Sequence, residues 1–228
     1  LRSPYPHARI LNIDTSRAQR LPGVRGVVTG KDTLGRKYCS VAVPELYDEQ
    51  ALPVDTVRFM GEPVAAVAAT SEDVAEEALD LIRVEYELLP AVFDPVEAMK
   101  EGAPLLHAAD RNIAFTTRHS VGDVEEGFRQ ADYVREDTFS TQCVVHCALE
   151  PHTSMASFEG AGRLTVWAAS QSIFALRDDL ALTLGLRLGD IRIIRPCVGG
   201  GFGGKIHMTG VEFCAALLSM KIGRPVTM

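Results

Sequence analysis

Apolar and polar residues alternate through Ala8–Asp14 (ARILNID), the two-residue period of a half-buried strand. SRAQRLPGV, from Ser16, predicts a short helical turn stopped at Pro22-Gly23. The β-branched run VRGVVTG predicts a second strand ending on Gly30, whereas Lys31–Leu52 has no period and is expected to be rich in loops. Pro63–Thr70 (PVAAVAAT) is an unbroken run of small, mostly apolar residues, the pattern of a buried strand. SEDVAEEALDLI carries the clearest helix start. Ser71 can cap it, acidic residues fill the first turn where the helix dipole is positive, and Val74, Ala78 and Leu81 share one face. RVEYELLP follows as a strand ended by Pro90.

From Ala108 to Ala131 the pattern turns polar, with a short amphipathic helix over Val124–Gln130 and Asp123 as its cap; the junction between two domains is expected here. DYVREDTFSTQCVVH and RLTVWAAS predict strands, and SIFALRDDLALTLGL (Ser172–Leu186) an amphipathic helix stopped at Gly185. DIRIIRP predicts a strand, MTGVEFCAALLSMKIG a helix ended by Gly223, and RPVTM a strand just begun. The fold class is α/β (α+β), with a mixed strand–helix unit over 1–107, a linker over 108–135 and a second unit over 136–228.

A chain of 228 residues, 46% hydrophobic, can bury a sizeable core in one or two domains. A formal net charge of −7 argues against a nucleic-acid surface. No run of about 18 apolar residues exists, so no membrane contact is expected. Five cysteines without regular spacing do not suggest a disulfide framework, and a cytoplasmic protein with reduced thiols is the simpler expectation. The chain opens on Leu1 inside a patterned segment and stops at Met228 inside a strand-like one, as expected of a fragment or a split subunit.

The chemistry concentrates in CVGGGFGGK (Cys197–Lys205), where five of nine residues are glycine. Glycine packs nothing and costs conformational entropy, so such a cluster marks close approach to backbone. Gly199, Gly204 and Lys205 fit the start of a phosphate loop, but that loop needs a hydroxyl next for magnesium, and Ile206 stands there. Gly199, Gly201 and Gly204 fit G-x-G-x-x-G, but no carboxylate for a ribose follows about 20 residues on. A bare turn would need only one or two glycines. The remaining reading is a loop of exposed backbone N–H groups before a helix, able to hold an anion or an oxo ligand, with Phe202 walling off a dry pocket. Cys143, His146 and Cys147 invite a zinc reading, but apart from His152 nothing nearby completes a tetrahedral set, and no direct metal ligand is expected.

VGGGFGGK resembles the molybdopterin loop of the molybdenum hydroxylases, the large subunits of xanthine dehydrogenase, aldehyde oxidase and related hydroxylases of CoA thioesters and N-heterocycles. LRSPYPHARI (Leu1–Ile10) is similar to a strand near the start of those subunits, and Phe59–Met99 to the core of their hammerhead domain. HCALEPH (His146–His152) resembles their H-x-x-x-E segment, and AASQ (Ala168–Gln171) their S-T-Q segment. The resemblance implies a hammerhead domain over 1–107 and the incomplete beginning of a molybdopterin-binding domain over 136–228. It also implies a molybdenum–molybdopterin cofactor, with iron–sulfur and FAD groups on partner subunits or domains, in an oligomer. Gln171 is then expected to hydrogen-bond an oxygen on the metal, Phe202 and Gly203 to lie against the metal centre with the Gly203 N–H aimed at an oxygen, and Gly200 and Gly201 to line the cofactor. The general-base glutamate is expected beyond Met228, supplied by the rest of the large subunit or by a second molybdopterin subunit.

Three residues of the motif region leave alternatives. Lys205 suits a phosphate or a structural role, and Glu150 with His146 suits ligand-loop support or a mutual hydrogen bond. Ile206 stands where purine-oxidising members carry a glutamate, so an aldehyde, N-heterocycle, aromatic or acyl-CoA carbon is the expected substrate rather than xanthine. The competing functions are a non-catalytic binding or assembly module of the same fold, and a phosphate-loop nucleotide-binding protein.

Overall fold

The computed structural model describes residues 1–39, 48–107 and 110–228. Part of the loop-rich stretch expected over Lys31–Leu52 and part of the junction therefore lie outside the described residues. In the first half, β1 (Ala8–Asp14), β3 (Thr56–Val57) and β5 (Arg83–Leu88) form an antiparallel sheet in the order β3-β1-β5. β2 (Val24–Thr29) pairs antiparallel with β4 (Ala65–Ala69). Helix α1 (Ser16–Arg20) and helix α2 (Glu72–Leu81) pack on β2 and β4, burying Ala18, Val27, Ala65, Val67 and Ala78 together. α2 starts as the sequence dictates: the Ser71 hydroxyl accepts the Val74 N–H, and Glu72 and Asp73 fill the first turn.

Pro95–Ala98 forms a short helix, α3, capped by Asp94, and Val124–Gln130 forms α4, whose cap Asp123 accepts the Glu126 N–H. The strand expected over DYVREDTFSTQCVVH does not form. Residues 131–153 contain no strand, and those from 132 to 147 are exposed, because no neighbouring strand meets their backbone donors and acceptors. The first strand of the second half is instead β6 (Ser154–Glu159), whose small, polar sequence SMASFE gave no strand signal; it returns through Gly160–Gly162 into β7 (Arg163–Ala168). Helix α5 (Ile173–Leu184) carries the chain across to β8 (Ile191–Ile194), which lies parallel to β7, as a crossover helix permits. Helix α6 (Gly210–Ile222) and β9 (Val226–Thr227) follow, completing a sheet of order β8-β7-β6-β9.

α6 joins the two halves. Thr209 caps it by accepting the Val211 N–H, while the Glu212 carboxylate accepts from the Thr209 N–H and hydroxyl. It packs against β6, β7 and β9 and also against β2 and β4. One apolar core therefore includes Val28, Ala66 and Ala68 of the first half with Ala156, Leu164, Val166, Leu180, Phe213 and Leu218 of the second. This double contact explains why seven consecutive or near-consecutive residues of α6, Phe213 to Ala216 among them, are buried where a one-sided helix would bury a stripe. Polar ties reinforce it. Lys221 Nζ donates to the Val27 carbonyl at 2.8 Å and to Asp32 at 2.6 Å. The buried Ser219 hydroxyl accepts the Phe158 N–H and donates to the Arg224 carbonyl.

α5 departs from the amphipathic expectation in the same way, burying Leu176, Leu180, Ala181 and Leu184 and also Asp179. Asp179 Oδ2 has no hydrogen-bond partner among the described residues, and burial, with repulsion from Glu49 and Asp178, pushes its pKa up to about 7. The folded chain holds this proton, whereas the unfolded chain releases it near pH 4, so stability falls as the pH rises from about 4 to about 7. Asp179→Asn is therefore expected to raise the thermal midpoint at pH 8 by about 2–4 °C or more, with a smaller gain at pH 5. Thermal unfolding of both forms at the two pH values checks it.

Candidate functional site

β7 and β8 run parallel with Trp167 opposite Ile194, so the chain leaves both strands at one edge of the sheet. Ala169–Gln171 leaves β7 there, and Arg195–Lys205 leaves β8 beside it. This is the carboxyl edge of a parallel pair, where open α/β sheets place ligands.

The glycines answer to side chains from elsewhere in the chain. A Cβ on Gly201 would lie 2.4 Å from Gln171 Oε1, and one on Gly199 would lie 2.6 Å from Glu150 Cβ. A Cβ on Gly204 would sit 3.0 Å from the His146 ring. Gly200 and Gly203 are in the left-handed region, with φ of 95° and 93°. So is Phe202, with φ of 51°, a conformation that a bulky residue adopts only at a cost. The residue is 73% exposed, so it does not pack in the core formed by the described residues.

The loop's backbone donors divide: those of Gly199 and of Gly203 to Lys205 are taken up by the protein, while those of Gly200, Gly201 and Phe202 have no hydrogen-bond partner among the described residues. The Gly203 and Lys205 N–H groups both donate to Gln171 Oε1, at 3.1 and 3.2 Å. The Gly199 N–H donates to Glu150 Oε2 at 2.8 Å, Gly204 donates to the Gly201 carbonyl, and Ile206 to the Gly203 carbonyl. The expected row of exposed N–H groups is therefore shorter than the glycine stretch: the Gly203 N–H is aimed at the Gln171 side chain, and α6 begins at Gly210, beyond the loop. Two backbone donors also fix which end of the Gln171 amide is oxygen. Its Nε2 is left with no partner among the described residues, on an exposed side chain.

Lys205 is 2% exposed, and its ammonium donates to Glu150 Oε2 at 2.7 Å. Of the two roles open to Lys205, the structure supports the structural one. A buried, paired ammonium is not available to a phosphate, which removes the phosphate-loop reading. Glu150 pairs with Lys205 rather than with His146. The Lys205 ammonium and then the Gly199 N–H hold the Glu150 carboxyl below the usual carboxylate range. Its stabilisation is present above the ordinary glutamate pKa and is lost as the pH falls below it. The pair escapes sequence reading, because nothing local tells that Lys205 is buried; a carboxylate in the H-x-x-x-E segment facing a lysine in the loop was the available signal. Ile206 is 38% exposed at the loop's end. Among the described residues no three His, Cys, Asp or Glu side chains group as metal ligands.

The arrangement offers an oriented amide donor (Gln171 Nε2), an exposed aromatic ring and an apolar side chain around a backbone rigidly held by hydrogen bonds. It fits a cofactor that presents acceptor oxygens to the loop. The two main clefts, of about 710 and 570 Å³, lie elsewhere: neither is lined by Gln171 or by the glycine stretch.

Comparison with known proteins gives two family matches. Residues 1–90 match the family described as aldehyde oxidase and xanthine dehydrogenase, a/b hammerhead domain, and residues 106–228 match the molybdopterin cofactor-binding domain. The chain is 40% identical over 226 residues to a probable xanthine dehydrogenase subunit of Bacillus subtilis, covering 99% of this chain and 30% of that protein. It is 37% identical over 227 residues to the nicotinate dehydrogenase large molybdopterin subunit of Eubacterium barkeri, covering 100% of this chain and 52% of the relative. Quinoline 2-oxidoreductase from Pseudomonas putida 86 superposes with a TM-score of 0.87 at 35% identity, over 100% of this chain and 30% of that one. The chain thus spans about a third to a half of the length of these relatives.

Adjacent loop positions are expected to respond oppositely to substitution. Gly201→Ala drives a methyl into Gln171 Oε1 and breaks its two backbone hydrogen bonds, costing about 1–3 kcal/mol. Phe202→Gly removes an exposed ring and relieves a left-handed φ, leaving stability within about 1 kcal/mol of the parent. Equilibrium urea unfolding of the two variants distinguishes them.

Proposed function

This chain belongs to the xanthine dehydrogenase and aldehyde oxidase family of molybdenum hydroxylases, within the molybdopterin-binding large subunit, and on that premise we propose that it forms one wall of the active site of an oxidoreductase. We assign 1–107 to the hammerhead domain, 108–135 to a linker and 136–228 to the first part of the cofactor-binding domain. When bound, the molybdenum cofactor supplies a two-electron oxidation of a substrate carbon, with water as the oxygen source and electrons passing to iron–sulfur and FAD groups of partner subunits or domains.

The observation that carries the proposal is the oriented Gln171 amide. Because Gly203 and Lys205 occupy its oxygen, its N–H₂ is left to donate to the cofactor. Gly200 and Gly201 keep side-chain bulk out of this approach, and Phe202 holds an apolar ring where it excludes water. Gly203 acts through Gln171. Ile206 brings an apolar side chain to the substrate side, which favours an aldehyde, aromatic, N-heterocyclic or acyl-CoA carbon over a purine that must be gripped by hydrogen bonds. Relatives named for nicotinate and quinoline are in keeping with that choice, while the Bacillus relative is named for xanthine. The general base and the opposite wall belong to the rest of the large subunit. No helix among the described residues is long and apolar enough to cross a membrane, and we place the enzyme in the cytoplasm.

Metal analysis of the complete enzyme is expected to find molybdenum and a pterin. Gln171→Ala is expected to lower kcat by roughly 10- to 100-fold, the range usual when a residue supporting a metal centre is removed. Absence of molybdenum, or full turnover in the variant, overturns the assignment.

A further inference from the structure

Lys205 is among the largest fully buried side chains of the chain, and it is a lysine. Lysine is almost never fully buried unless paired. A buried ion pair is poor evidence of stabilisation, because desolvation offsets the attraction and apolar replacements of similar size are often as stable. The connections of this pair suggest another use. Glu150 and Gly199 are joined twice: the Glu150 N–H donates to the Gly199 carbonyl at 3.2 Å, and the Gly199 N–H donates to Glu150 Oε2 at 2.8 Å. Lys205 and Gln171 are also joined twice: the Gln171 N–H donates to the Lys205 carbonyl at 2.8 Å, and the Lys205 N–H donates to Gln171 Oε1 at 3.2 Å. The Lys205 ammonium links the two brackets, donating to the same Glu150 Oε2 that holds Gly199. One carboxylate oxygen therefore ties the start of the glycine stretch to its end, and the backbone of that end both donates to and accepts from Gln171.

We propose that the Lys205–Glu150 pair is a positioning element: by pinning Gly199 and Lys205 to one oxygen it fixes the backbone that orients the Gln171 amide. The inference rests on the proposed role of Gln171 at the cofactor. The role requires neither Lys205 nor Glu150 to touch the substrate or the metal. Lys205→Met is the informative change. It keeps an unbranched apolar stem in the buried space, and it leaves Glu150, whose side chain is 27% exposed, able to reach water. The tether is lost while the fold survives.

The test uses the complete enzyme in four forms: parent, Gln171→Ala, Lys205→Met and the double variant Lys205→Met/Glu150→Gln. Molybdenum content, kcat, KM and the electron paramagnetic resonance spectrum of the partly reduced metal are measured on each. Lys205→Met is expected to keep its molybdenum, to lose roughly 10- to 100-fold in kcat with KM changed less than about twofold, and to shift the resonance in the direction that Gln171→Ala shifts it. The double variant is expected to assemble and to behave like Lys205→Met. If Gln171→Ala alters turnover and spectrum while Lys205→Met matches the parent, the positioning role is wrong and the role of Gln171 stands. If the parent lacks molybdenum, or Gln171→Ala matches it, the functional reading falls and this inference with it. If neither lysine variant assembles, the pair is a folding element only and the inference is overturned.

Discussion

The contact between the Gln171 amide oxygen and the backbone of Gly203 and Lys205 is the constraint around which the site is organised. It can exist only if Gly201 has no side chain, if Gly203 takes a left-handed turn and if the two strand ends lie at one edge. Each requirement is met by a different level of the structure: residue type, local conformation and sheet topology. Glycine's lack of packing, a liability in most contexts, is here the condition for two segments to touch. The same logic runs through Gly199 and Glu150, so the segment near residue 150 reaches the loop by backbone and side chain together.

The platform beneath the loop is set by α6. A helix buried on more than one side must be apolar on more than one side, and the run Phe213–Ala216 satisfies that. Its polar residues are few and are used: Glu212 closes the cap and Lys221 reaches the first half at Val27 and Asp32. Asp179 is an exception in the core: its Oδ2 has no hydrogen-bond partner among the described residues, and burial raises its pKa in favour of the neutral form.

Elements whose causes are local were legible in the sequence. α2 and α4 begin where Ser71 and Asp123 can cap them, and α5 and α6 end at Gly185 and Gly223 in left-handed conformations. Elements whose causes are tertiary were not. β6 has weak strand residues and exists because β7 and β9 pair with it, whereas the β-branched and aromatic stretch after Asp132 pairs with no strand among the described residues and is exposed. The glycine cluster announced a close approach, and the resemblance of AASQ singled out Gln171, though as a cofactor contact and not as the group that holds the loop backbone. The identity of the other approaching groups, Glu150 and His146, depended on contacts across about 50 residues of chain that no local pattern encodes.

Because the two halves share α6 and one apolar core, the covalent thread between them carries little of their association. Residues 114–147 are exposed apart from the half-buried Glu126. A nick or a gene fission there would leave two polypeptides clasped around a common helix, free to reassemble by complementation. The part of this stretch ahead of His146 can lengthen or shorten through evolution without disturbing the contacts of the glycine loop.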